Sequence, residues 1–145
     1  MLETKVTFTL NQLVGELNRQ ADGILRERFN LTFSQFTFLV TLLNGRSSIT
    51  EVAKSLDVSV AAVSKKVDWF VQRGLTRTQG DPSNARKVLV ELTAKGKKSA
   101  MAAGDELERC FIEIFTGLPA LDLRKLNRDL LTVLQHLNAK TEEIR

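Results

Sequence analysis

The chain has 145 residues, enough for one ordinary domain with a core of its own. Hydrophobic residues make up 43% and charged residues 26%, which excludes a disordered chain, and no apolar run approaches the roughly 20 residues of a membrane span. The net charge of +4 is only mildly basic, and a start with Glu3 and no long apolar stretch does not suit a secretory signal, so a cytoplasmic protein is expected.

From Glu3 to about Arg28, apolar residues recur in steps of three and four at Val6, Leu10, Leu13, Val14, Leu17, Ala21, Ile24 and Leu25. That spacing predicts one long amphipathic helix, which needs a surface to cover, either its own core or a partner subunit. Phe29, Asn30 and Leu31 form a break. Thr32 and Gln35 fit a capping box at the start of a second helix, Phe33 to about Leu43. This helix is apolar nearly all round and reads as buried; Asn44-Gly45 ends it.

Ser48 with Glu51 matches another capping box, with Thr50 as the alternative cap, and Ile49 is a candidate to bridge to a later hairpin. A two-turn helix with Val52, Ala53 and Leu56 inside leads to the turn Asp57-Val58-Ser59, where Ser59 is a natural N-cap. The next helix, Val60 to Arg73, turns Val63, Val67, Phe70 and Val71 inward. Ala61, Ala62, Ser64, Lys65, Lys66 and Asp68 are then outside, and Gly74 caps the end. A small, hydroxylic and basic face suits close approach to base edges.

Leu75 to Gln79 and Lys87 to Leu92 have strand composition, the second alternating Val88, Val90 and Leu92 on one face. Gly80 to Ala85 joins them, a connection longer than a tight two-residue hairpin. Thr93 can cap a helix running to about Thr116, with Lys95, Lys97 and Lys98 set against its dipole, which points to another partner for them such as phosphate. Gly117 and Pro119 break the chain, Pro119 near the first position of a last helix that carries Leu123, Leu126, Leu130, Leu131, Val133, Leu134 and Leu137. Helix-turn-helix followed by a hairpin is the layout of a winged helix-turn-helix. The expected fold is mainly α, with about six helices and a small antiparallel β-wing.

Charge follows this layout. Between Arg46 and Lys98 stand eleven basic and five acidic residues, a balance of +6, while the two ends together balance to −2. A basic centre in a neutral scaffold suits a polyanion partner, although a solvated surface would show the same charge.

With these elements placed, the sequence resembles the MarR family of transcriptional regulators over nearly its whole length. The most specific piece is the wing, where Asp81, Asn84, Arg86 and Leu92-Thr93-Ala94-Lys95-Gly96 occupy the family's pattern. Asn84 replaces a usual acid, and Ala85 stands where a second basic residue is common. The run from Val63 to Thr78, with Gly74-Leu75 and Arg77, also fits. The resemblance implies a homodimer built from residues 1–30 and 99–145 around a winged helix-turn-helix lobe at 31–98. It implies a sequence-specific regulator, a repressor of a pseudo-palindromic operator in double-stranded DNA, with a small aromatic effector as the candidate ligand and no cofactor.

On this reading Ser59, Val60, Ala61, Ser64, Lys65 and Lys66 face the major groove, with Ser64 and Lys65 reading bases and Lys66 on phosphate or base. Arg86 enters the minor groove or binds its phosphates, or else pairs with Asp81 to shape the loop; Lys87 binds backbone. Trp69 is expected against the wing strands, Cys110 buried and inert in an apolar stripe, and His136 on a surface. Phe29, Phe33, Phe36, Phe38 and Phe111 line an aromatic pocket or, as plain core, fill it. The competing function is a winged-helix interaction or scaffold dimer without DNA. A catalytic domain finds no nucleophile, base or metal set: one histidine, one cysteine and no tyrosine are present.

Overall fold

A computed structural model describes residues 5–143. Among them, six helices and a small three-stranded antiparallel sheet appear in the order α1 (Val6–Phe29), α2 (Phe33–Thr41), β1 (Ser47–Ser48), α3 (Ile49–Leu56), α4 (Val60–Gln72), β2 (Thr76–Asp81), β3 (Asn84–Leu92), α5 (Ala94–Thr116) and α6 (Leu123–Glu143). The chain divides into two compact units, one up to Leu107 and one from Glu108 onward.

In the first unit, α2 to α5 each start where a side chain occupies an open N–H group. Thr32 Oγ1 accepts from Gln35 N at 3.0 Å while Gln35 Oε1 accepts from Thr32 N at 2.9 Å, closing the box that opens α2. Asp22 of α1 reaches the same end, accepting from Phe33 N at 2.8 Å. Ser48, not Thr50, caps α3, and Ser59 caps α4 by accepting from Ala62 N at 3.1 Å. Left-handed Asn30 and Asp57 end α1 and α3. At the end of α4, Gly74 sits at φ 66°, and Leu75 N and Gly74 N donate to Phe70 O and Val71 O at 3.0 Å each. This paired closure satisfies the last carbonyls of the helix.

The core of this unit is made by Leu25, Phe38, Leu39, Val52, Val63, Phe70 and Val90, all fully buried. Phe38 and Phe70 stack with ring centroids 4.9 Å apart, so Phe38 is core rather than pocket lining. The strands run in the order β1-β3-β2.

Several boundaries differ from the expectation. α2 stops at Thr41, because Leu42 N and Gly45 N turn back to Leu39 O and Leu42 O at 3.1 and 3.2 Å. The bridge to the hairpin comes from Ser47 and Ser48, opposite Val90 and Leu89, while Ile49 already belongs to α3. Val71 is 41% exposed rather than inward. On β3 the buried neighbours are Leu89 and Val90, and Val88 is exposed. Leu89 and Val90 are consecutive and point to opposite faces of the sheet, yet both are covered, so burial along β3 does not alternate simply.

The wing differs most. Asp81 pairs with Asn84, so the tip is the two-residue turn Pro82-Ser83. The next pair is Gly80 with Val88, which leaves the extra residues Ala85, Arg86 and Lys87 bulged out of the ladder.

The close approach that seats α5 in the first unit lies at Gly96. A Cβ built there would stand 1.9 Å from the Leu75 carbonyl oxygen. Thr93 caps α5 by accepting from Gly96 N at 3.0 Å and donates its hydroxyl to Gly74 O at 2.6 Å. Arg28 of α1 pairs with Glu106 of α5.

In the second unit α6 begins at Leu123, where Asp122 Oδ1 accepts from Lys125 N at 3.0 Å; Pro119 lies in the preceding turn, not at the first helical position. Within this unit Leu130, Leu131, Val133, Leu134 and Leu137 are 40–56% exposed. His136 is exposed, and Cys110 is half-buried rather than sealed in a core, with Arg109 Nη2 3.7 Å from its sulfur.

Candidate nucleic-acid interface

The first half of α4 carries the sequence-derived site. Its inner residues Val63 and Val67 lock into the core and thereby fix which side chains face out. Ser59, Val60, Ala61 and Lys65 are exposed, and Ser64 and Lys66 are half-buried. Val60 and Ser64, one turn apart, point towards the wing. Together with Arg86 and Lys87 they line a concavity of about 570 Å³, completed by Ser48, Ile49, Thr50, Glu51, Asn84 and Val88. The tertiary structure thus brings four of the eight predicted site residues to one groove. Ser59, Ala61 and Lys65 stand on the exposed face outside it, and Lys66 reaches across to α2, where its ammonium donates to Ser34 Oγ.

The wing bulge explains how Arg86 and Lys87 arrive there. Asn84 Oδ1 accepts from Arg86 N at 3.1 Å, and Asp81 Oδ1 accepts from Ser83 N and Ser83 Oγ at 2.9 and 2.7 Å. The Ser83 hydroxyl and then its N–H hold the Asp81 carboxyl below its ordinary pKa, with Lys87 and Arg46 adding attraction. Asp81 therefore shapes the turn through Ser83. Among the described residues no salt bridge joins it to Arg86, so the alternative pairing of those two does not form. Arg77 of β2 instead pairs with Glu91 of β3 at 2.7 Å.

Residues not singled out from sequence as site members also line the groove. Thr50 and Glu51 enter because the Ser48 cap places the first turn of α3 at its edge. The capping-box pattern was the available signal. Asn84 enters through the turn geometry, for which sequence offered only the count of polar residues.

Two further expectations change. Lys95 has its partner within the chain: its Nζ donates to Arg73 O at 3.0 Å, placing a cation at the C-terminal end of α4. Trp69, expected against the wing strands, stands edge-on to Phe70 at 5.1 Å, with the Arg73 guanidinium 3.4 Å above its ring. Both belong to a second concavity of about 500 Å³ that also includes Phe29, Gln72, Lys95 and Ser99.

No three His, Cys, Asp or Glu side chains gather to hold a metal among the described residues, and no described helix is long and apolar enough to cross a membrane.

Residues 32–96, the same stretch that builds the groove, match the family model of a winged helix DNA-binding domain. The HTH-type transcriptional regulator YhbI of Bacillus subtilis (strain 168) is 21% identical over 129 residues, which is 88% of this chain and 84% of that protein. Wild-type MarR of E. coli in its apo form superposes with a TM-score of 0.71 at 26% identity, covering 86% of this chain and 96% of MarR. NadR, in a crystal structure with 4-hydroxyphenylacetate, superposes with a TM-score of 0.75 at 21% identity, covering 100% and 97% of the two chains. The chain is a transcriptional regulator with a winged helix DNA-binding domain at residues 32–96, and its fold is similar to that of MarR.

Proposed function

We propose that the protein acts in the cytoplasm as a homodimeric repressor of a pseudo-palindromic operator. The observation that carries this reading is the joint groove of α4 and the wing, where Val60, Ser64, Arg86 and Lys87 face one space. An inserted α4 reads bases with Ser64 and Lys65, and Arg86 and Lys87 take the neighbouring backbone or minor groove. Ser59, Ala61 and Lys66 complete the approach. A dimer seated this way covers its site and excludes polymerase.

Dimerisation is assigned to residues 1–30 and 99–145, with 31–98 as the DNA-binding lobe. Support comes from apolar side chains left in solvent: Val6, Phe8, Leu13 and Val14 on α1, and separately the leucines of α6. Two-fold symmetry then sets half-sites about one helical turn, roughly 34–36 Å, apart. The effector is a small aromatic anion. The concavity beside Trp69 and Phe29 suits its ring, and Arg73 and Lys95 suit its charge.

The test is selection of bound fragments from genomic DNA, followed by salt titration of the selected duplex. Lys65→Ala and Arg86→Ala are expected to weaken specific binding and flatten its salt dependence. Unchanged binding in both variants refutes the site. Absence of salt-dependent DNA binding altogether favours the alternative, a scaffold dimer.

A further inference from the structure

The DNA-facing groove contains one carboxylate, and it belongs to Glu51. Its two oxygens have different tasks. Oε2 accepts from Ser48 N at 2.9 Å, while Glu51 N donates to Ser48 Oγ at 3.1 Å, so the carboxylate is tied to the start of α3. Ser48 is in turn paired with Leu89 of β3, which anchors this corner to the wing strand. Oε1 is left facing Lys87 Nζ at 3.7 Å. The Ser48 N–H, then the Ser48 hydroxyl, then Lys87 hold the Glu51 carboxyl below its ordinary pKa, so it is charged at neutral pH.

A capped helix start needs only an acceptor, and glutamine serves that role as well as glutamate. The charge of Glu51 is therefore unnecessary for the cap. Its effect falls on Lys87, which sits on the bulged strand with nothing in the ladder to fix it. A phosphate arriving at the groove must compete with a carboxylate already in place. We infer that Glu51 is a positioning residue that holds Lys87 against the start of α3 and restrains its contact with DNA phosphate. The inference rests on the groove being the DNA surface, and it adds an internal competitor that lowers affinity and softens the response to salt.

The experiment uses the full-length protein and its selected duplex, read by fluorescence anisotropy between 50 and 200 mM salt. Glu51→Gln keeps the cap acceptor and removes the charge. It is expected to bind more tightly at low salt, with the log–log salt slope steeper by about 0.9, the value of one added phosphate contact. Its advantage over the parent protein should accordingly shrink by about 3.5-fold across that range. A cap role alone would move the melting curve and leave the slope unchanged.

In a Lys87→Gln background, Glu51→Gln should no longer steepen the slope. Lys87→Gln alone should flatten the slope by less than the ~0.9 of a full contact, because the parent lysine is already engaged. An unchanged slope in Glu51→Gln, a steepening that survives loss of Lys87, or a full loss in Lys87→Gln overturns the inference. DNA binding absent from parent and variants alike overturns the reading of the groove itself, and this inference with it.

Discussion

Gly96→Ala should destabilise the protein even though alanine is the better helix former. Gly96 lies inside the first turn of α5 and is buried. The added Cβ would stand 1.9 Å from Leu75 O, 2.8 Å from Leu75 C and 3.2 Å from Leu75 Cα. These are backbone atoms and cannot rotate away as a side-chain tip can. Ordinary contact begins at 3.4 Å, so the helix start and the α4–β2 corner must part by about 1.5 Å. That movement stretches Thr93 N to Leu75 O, now 3.1 Å, and Thr93 Oγ1 to Gly74 O, now 2.6 Å. Overpacking costs about 1–3 kcal/mol. A weakened hydrogen bond adds about 1 kcal/mol. Helix propensity returns about 1 kcal/mol. The net loss is about 1–3 kcal/mol. Gly104→Ala in the same helix is the control, because its Cβ would meet only Phe36 Cζ at 3.9 Å, and it should be neutral or stabilising by up to about 1 kcal/mol. Urea denaturation followed by circular dichroism, at one fixed protein concentration, compares the two. Equal stability of Gly96→Ala and Gly104→Ala would refute the close approach as the reason for glycine.

Two other outcomes follow from the same structure. Asp22 is held below its ordinary pKa of 3.8, first by the Phe33 N–H and then by Arg26, so its stabilisation is complete above that value and is lost as pH falls through the lower folded-state value. Asp22→Asn keeps an acceptor for Phe33 and should show a shallower loss of stability below about pH 3.8; identical acid unfolding profiles would count against this role. Leu134→Glu alters the exposed apolar face of α6. If the proposed homodimer covers this face, losing the leucine there costs about 1.5–3 kcal/mol in each subunit, so dimer affinity should fall about a hundredfold or more in analytical ultracentrifugation, and an unchanged dimer would remove α6 from the interface.

Much of the local architecture was legible because it depends on residues three or four apart. The capping pairs Thr32/Gln35 and Ser48/Glu51 and the Ser59 cap all form as the sequence indicates. So do the inward positions Val63, Val67 and Phe70. The Leu-Thr-x-x-Gly pattern was recognisable without its reason, which is the contact of Gly96 with the Leu75 carbonyl. Strand faces were less legible. Consecutive Leu89 and Val90 of β3 point to opposite faces and are both buried, so burial there depends on what covers each face, which the alternation of residue types along the strand does not reveal.

The sequence by itself determined the order of elements, where most helices begin, which face of α4 points outward, and the concentration of positive charge between Arg46 and Lys98. These depend on backbone periodicity and on hydrogen bonds within one helical turn. Only the tertiary structure decided the two-residue wing turn and its bulge, the joint groove, the placing of Lys66 against Ser34, and the setting of Glu51 against Lys87. Those pairs lie more than thirty residues apart along the chain. No local preference selects them; they meet because a shared core fixes α2, α3, α4 and β3 in one frame.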